Sequence, residues 1–199
     1  MVTLDFYQTN AKDFFSQTIN VDMQNVYQPF LENLPKGKQA ILDVGCGSGR
    51  DSVFFANQGF EVVAIDGSKS LIELAQQTDT RIDWQCLRFH EIAKQSWQNQ
   101  FTGIWACASL LHVSFDDLPK LLNDLIRCLK PDGILYASFK YGDSEREKDG
   151  RFFCDMNEER WQLIENQLNN VKPLKFWQTI DNRKNLQDIW FNLILISLT

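Results

Sequence analysis

The stretch Ile41-Leu42-Asp43-Val44-Gly45-Cys46-Gly47-Ser48-Gly49-Arg50-Asp51-Ser52 leaves this chain few folds to choose from. The apolar run Ala40 to Val44 has the character of a buried strand, alternating glycines follow it at once, and Arg50 to Gln58 has the pattern of a helix that Gly59 ends. In a strand, glycine turn and helix in that order, backbone approaches a ligand closely and helix N–H groups point into the gap. Asp43, near the end of the strand, is expected to present a carboxylate to the same gap. Glu61 to Asp66 forms the next expected strand and also ends in an acid. In a doubly wound sheet an acid at that tip can accept both hydroxyls of a ribose. The spacing bears on the cofactor. A dinucleotide fingerprint has two residues before its third glycine, whereas Ser48 alone separates Gly47 from Gly49.

The rest of the chain continues the alternation. Residues 1–35 are expected to be a helical cap segment, with Met23, Val26, Tyr27, Phe30, Leu31 and Leu34 on one helical face. Asp22 is the expected N-cap of that helix, Pro29 predicts a kink or break near Gln28, and Pro35-Lys36-Gly37-Lys38 is a turn. Further strands are expected at Ile82–Cys86, Gly103–Cys107 and Ile134–Phe139. A helix with a Leu118, Leu121, Leu122, Leu125, Ile126 and Leu129 stripe starts at Ser114 or Asp116 and is stopped by Lys130-Pro131-Asp132-Gly133. Residues 140–155 form a long charged loop, either a connection or a lid. A helix over Asn157–Asn169 precedes two strands, Val171–Ile180 and Asp188–Leu198, joined through Asp181-Asn182-Arg183-Lys184-Asn185. The expected fold is therefore one α/β domain over residues 1–199. Its core is a doubly wound, mostly parallel seven-stranded sheet with the last strand antiparallel, and residues 40–139 form the cofactor-binding part.

At this point the chain resembles the class I S-adenosylmethionine-dependent methyltransferases, and more narrowly their small bacterial tellurite-resistance-type members. The stretches that carry the likeness are ILDVGCGSGRDS, VVAIDGS, GIWACASLLHV, LKPDGILYASFKYG and the later DGRFF. The resemblance implies S-adenosyl-L-methionine as cofactor. It implies a cradle of Gly45, Cys46, Gly47 and Gly49, with Asp43 and Asp66, then Gly67 and Ser68. Tyr7 matches a tyrosine in an N-terminal segment that covers the cofactor. Arg88 and Phe89 fall in the loop that meets adenine, although many members carry an acid where Arg88 stands and arginine cannot accept from the adenine amine. Thr102 likewise replaces a common aspartate. Cys107 and Ala108, at the tip of the fourth strand, face the methionine part.

Chemistry and composition then sort the readings. Methyl transfer from a sulfonium is an in-line displacement with a neutral leaving group, so alignment and exclusion of water dominate. A general base is needed only for a protonated acceptor, and His112, a few residues past the fourth strand, is the candidate beside a purely structural role. Tyr141, Glu145 and Arg151 are candidates to shape an acceptor pocket. The net charge of −6 argues against a nucleic-acid partner, and no apolar run is long enough for a membrane span. Five scattered cysteines without a C-x-x-C pair suit free thiols in a cytoplasmic protein, and two histidines give no metal site. No leader is visible at the N-terminus. A small-molecule acceptor follows; monomer and homodimer stay equally open. The alternatives are a non-catalytic S-adenosylmethionine-binding module and a nicotinamide-dependent oxidoreductase, the latter disfavoured by the glycine spacing.

Overall fold

The computed structural model describes residues 2–37, 39–183 and 186–198. Lys38, Lys184 and Asn185, which the sequence assigns to turns, lie outside the described residues. In chain order the elements are α1 (Val2–Thr9), α2 (Ala11–Thr18), α3 (Gln24–Asn33), β1 (Ala40–Val44), α4 (Arg50–Asn57), β2 (Glu61–Asp66), α5 (Lys69–Ala75), β3 (Asp83–Cys86), β4 (Phe101–Ala106), α6 (Leu118–Ile126), β5 (Leu129–Lys140), β6 (Glu145–Lys148), β7 (Arg151–Cys154), α7 (Glu158–Glu165), β8 (Val171–Ile180) and β9 (Ile189–Ser197). Seven strands make one sheet in the order β3-β2-β1-β4-β5-β9-β8. The first five pair in parallel, and β9 runs antiparallel to both its neighbours. This is the expected Rossmann-like arrangement of the class I methyltransferases.

The sheet is covered on both faces, which is why its central strands are apolar throughout rather than alternating. Every residue of β4 is buried. On one face, Phe30 of α3 and Phe55 of α4 pack with Ile41, Trp105 and Tyr136. On the other, Leu122 and Leu125 of α6 and Trp161 of α7 pack with Ile104 and Leu135. Thr102 is also explained by position. Its hydroxyl accepts from the Ala40 N–H and donates to the Ala40 carbonyl, both at 3.0 Å, lacing the start of β4 to β1.

Several expectations are corrected. α3 runs through Pro29 without a break. The Asn25 carbonyl that a residue 29 N–H would reach belongs to an exposed residue, while the buried Tyr27 and Phe30 hold the helix to the sheet. Asp22 does help to cap it, accepting from the Gln24 N–H at 2.9 Å, with Met23 in the N-cap position itself. The sixth helix starts at Leu118 and not at Ser114 or Asp116. Those residues form a preceding turn, in which the Leu118 N–H donates to the Ser114 carbonyl. The Lys130 to Gly133 segment, expected to stop the helix, lies instead inside β5 at a register irregularity, with Asp132 at a φ of 60°. The largest correction concerns residues 140–155. They form no open loop but the antiparallel hairpin β6–β7, turned at Asp149 (φ 52°) and Gly150 (φ 72°).

Candidate functional site

β1 has β2 on one side and β4 on the other, so the chain winds away from it in both directions. In open α/β sheets ligands bind outside the strand C-termini at such a point. A cavity of about 350 Å³ opens there, near the lower end of the range of about 300–1,000 Å³ usual for small-molecule sites. Gly45, Cys46, Gly47 and Ser48 from the turn after β1, and Cys107 and Ala108 after β4, line one part of it. Tyr7, Phe14 and His112 line a second, and charged side chains around Lys140, Arg151 and Arg183 a third.

The turn is built by backbone that side chains cannot follow. Gly45 has a φ of +74°, and a Cβ there would stand 2.4 Å from the Ser109 Cβ. Its N–H and that of Cys46 both donate to the Ile65 carbonyl, at 2.8 and 2.9 Å. Gly49 caps α4 in the left-handed conformation, and a Cβ there would meet Trp84 at 2.6 Å. Asp66 fixes the middle of the turn. Its Oδ2 accepts from the Gly47 N–H at 3.0 Å and its Oδ1 from the Ser68 N–H at 2.7 Å. Burial pushes the Asp66 carboxyl up, and these two bonds pull it back.

Around the turn lies a second group that does not line the cavity. A Cβ on Gly45 would lie 3.5 Å from the Phe89 ring, and one on Gly67 would lie 3.2 Å from Leu4 and 3.7 Å from Arg88 Cγ. The Ser68 hydroxyl donates to Gln8 Oε1 at 3.0 Å. The structure therefore brings Asp66, Gly67, Ser68, Arg88 and Phe89 to one side of the turn, with α1 lying over Gly67 and Ser68. Arg88 engages Glu91 through its backbone N–H, at 2.9 Å, and Phe89 opens a 3-10 turn over Phe89–Lys94.

Asp43 does not face the gap, which corrects the sequence expectation. It is 2% exposed and accepts from the Ser52 hydroxyl of α4 at 2.5 Å. Burial, reinforced by the nearby Asp51 charge, pushes its carboxyl up to about 8. Beside it lies a network that sequence reasoning missed. The buried Asp51 accepts from Tyr27 Oη (2.5 Å), Trp105 Nε1 (2.8 Å) and the Arg50 guanidinium (2.6 and 2.9 Å). Burial opposes the Asp51 charge, yet Arg50 and these donors hold its carboxyl below the usual range. The only sequence signal was an acid in the first turn of a helix, which reads as an ordinary dipole partner.

His112 sits in a defined tautomer. Nδ1 lies 2.7 Å from the Phe152 carbonyl, which can only accept, so Nδ1 carries the proton. Nε2 then accepts from the Tyr7 hydroxyl at 2.8 Å. Burial pushes the His112 imidazole down to about 4, and the Phe152 bond offsets part of this. Burial also raises the Tyr7 phenol, and the nearby Arg151 pulls it back. The Ala108 N–H is taken by the Ser138 hydroxyl at 2.8 Å. Burial lifts the Cys107 thiol to about 12 and Cys46 well above its ordinary value, so neither is a thiolate at neutral pH. Of the three candidates for an acceptor pocket, only Arg151 lines the cavity. The Tyr141 hydroxyl donates to Glu158, and Glu145 accepts from the Phe115 N–H.

Comparison with known proteins agrees with this geometry. A family model described as "Methyltransferase domain" matches residues 41–133, a little under half of the chain. The ubiquinone biosynthesis O-methyltransferase of Coxiella burnetii is 35% identical over 108 residues, covering 52% of this chain and 44% of that protein. The chain thus spans less than half the length of that curated relative. Among solved structures, the 1,6-didemethyltoxoflavin-N1-methyltransferase of Burkholderia thailandensis, with S-adenosylhomocysteine bound, superposes with a TM-score of 0.75 at 19% identity, covering 98% of this chain and 86% of that one. The [4+2]-cyclase SpnF superposes with a TM-score of 0.74 at 15% identity, over 97% and 94% of the two chains. At such identities the likeness speaks for the fold alone.

Proposed function

We propose that this chain transfers a methyl group from S-adenosylmethionine to a small-molecule acceptor. The observation that carries the reading is the side-chain-free turn at Gly45 and Gly47, pinned by Asp66, at the one crevice the sheet order creates. The residues fit such a cofactor. Asp66 keeps lone pairs beyond its two N–H bonds for ribose hydroxyls. Gly67, Ser68, Arg88 and Phe89 would hold the adenine side, and Gly45, Cys46, Gly47, Cys107, Ala108 and Tyr7 the methionine side. Gly49 and Asp43 serve indirectly, the first by starting α4 and the second by tying α4 to β1 through Ser52. When bound, the cofactor supplies a methyl group on a sulfonium, already activated for displacement.

What the protein adds is orientation and dryness. Tyr7 and Phe14, from the two N-terminal helices, lie over the turn and exclude water from the reacting region. His112 is neutral at pH 7, and its basic nitrogen already accepts from Tyr7. It is a weak base there, which suits an acceptor that arrives deprotonated better than one that must lose a proton in the reaction. The cytoplasmic assignment rests on Cys46, Cys86, Cys107, Cys128 and Cys154 all being free. The narrower likeness to the tellurite-resistance-type members rests on the quoted sequence stretches.

The test is incubation of the purified protein with isotopically labelled S-adenosylmethionine and a panel of small phenols, thiols, amines and oxyanions, read by mass spectrometry. Labelled product from at least one class is expected. Tight cofactor binding without turnover on any class would favour the non-catalytic module.

A further inference from the structure

We propose that Arg151 is the acceptor-recognising residue of this site and that the acceptor it selects carries a carboxylate or comparable oxyanion; this rests on the methyltransferase reading above. Arg151 begins β7, lines the cavity, and places its guanidinium 4.5 Å from the centre of the Phe6 ring and 5.3 Å from that of Phe153. These two faces orient the guanidinium by cation–π contact, and it also interacts with the Tyr7 hydroxyl beside it. Its Nε is buried and has no hydrogen-bond partner among the described residues. A buried donor left unpaired on a charged group is costly, and it is an exception that calls for an explanation.

Most of the other cations on the cavity wall are answered by acids, Lys148 being the exception among the described residues. Lys140 meets Asp188 at 2.6 Å and Asp181 at 3.2 Å, Arg183 meets Asp181 at 2.7 Å, Arg146 meets Asp155 at 2.6 Å, and Arg50 meets Asp51. Among the described residues the only acid paired with Arg151 is Asp149, at 3.8 Å, whose side chain is 65% exposed and so screened by solvent. The guanidinium also stands beside the Tyr7–His112 pair, which connects it to the rest of the site: the Phe152 carbonyl next to it in sequence is the one that His112 donates to. The Nε–H that still needs an acceptor matches the oxygen of a carboxylate, with charge assistance from the guanidinium.

The experiment is calorimetry with the full chain saturated with S-adenosylhomocysteine, titrated with benzoate and, separately, with the neutral isostere benzamide. Benzoate is expected to bind at least about tenfold more tightly than benzamide. Arg151→Gln should remove that preference, Arg151→Lys should restore part of it, and both should bind S-adenosylhomocysteine as the parent does. Equal binding of benzoate and benzamide, no binding of either, or a preference that survives Arg151→Gln would overturn the proposal. A tenfold loss of S-adenosylhomocysteine affinity in Arg151→Gln would also overturn it, by assigning the guanidinium to the carboxylate of the cofactor itself. The comparison within the parent protein holds even if a variant fails to fold. If S-adenosylhomocysteine does not bind the parent at all, the methyltransferase reading fails on its own, and benzoate against benzamide on the free protein still decides the role of Arg151.

Discussion

At the scale of single residues, Tyr7 and His112 show how a site closes between distant parts of a chain. They are 105 positions apart and share one hydrogen bond. His112 keeps its lone pair only while neutral, and the depressed imidazole makes this a pH effect on stability. The folded value, about 4, lies below the unfolded value of 6.5. The unfolded chain therefore takes up the proton first. The His112 contribution is intact above pH 6.5 and is lost as the pH falls from there through 4, by an amount on the order of 3 kcal/mol at the lower end. Chemical denaturation from pH 7.5 to 4 should show falling stability, and His112→Gln should flatten that fall; an unchanged slope would mean that other groups set the acid limit. His112 was legible in the sequence because it follows a strand that had to be central. Tyr7 was singled out by the resemblance, but its pairing with His112 was not, because no local pattern links the two. Asp51 escaped for the opposite reason: its local pattern had an ordinary explanation, and only the folded chain brings Tyr27 and Trp105 to its carboxylate.

At the scale of elements, the strand, glycine turn and helix of β1–α4 were readable because each piece obeys its own local rule. The β6–β7 hairpin was not. Glu145, Arg146, Glu147 and Lys148 are all charged and show no alternation, so the strand signal was absent, and the Asp149-Gly150 pair that favours a tight hairpin turn was passed over inside a polar stretch. The N-terminal cap is the element with the clearest consequence. Leu4 rests on Gly67, Phe14 on Gly47, and Gln8 bonds Ser68 and Ser70. Phe152 of β7 donates to the Thr3 hydroxyl of α1 at 2.9 Å, which ties cap and hairpin together. The account predicts that α1 and α2 tighten together over the turn when a cofactor is bound there. Hydrogen exchange with and without S-adenosylhomocysteine should show protection changing together in α1, α2 and residues 45–49, with α6 and α7, which do not line the cavity, unaffected. Protection of the turn with no change in the cap would contradict this coupling.

At the scale of the whole molecule, the order β3-β2-β1-β4-β5-β9-β8 creates one switch point, and the glycine turn, Asp66 and the cavity all gather at it. The overall architecture was legible because alternating strands and helices allow few topologies, and the final pair of strands could only add an antiparallel edge. The acceptor was not legible, because the cavity walls are drawn from α1, the segment after β4 and the β6–β7 hairpin, which lie far apart in sequence. The chain carries a net charge of −6, while the cavity itself gathers cations. The central claim is that the crevice takes S-adenosylmethionine and not a dinucleotide. Calorimetry on the purified chain with S-adenosylhomocysteine and with NAD tests it most directly. The account predicts micromolar-range binding of S-adenosylhomocysteine, far weaker binding of NAD, and a loss of about ten- to a hundredfold for S-adenosylhomocysteine in Asp66→Ala, the worth of a charged hydrogen bond at about 1.5–3 kcal/mol. Tighter binding of NAD, or an unchanged affinity in a folded Asp66→Ala variant, would contradict it.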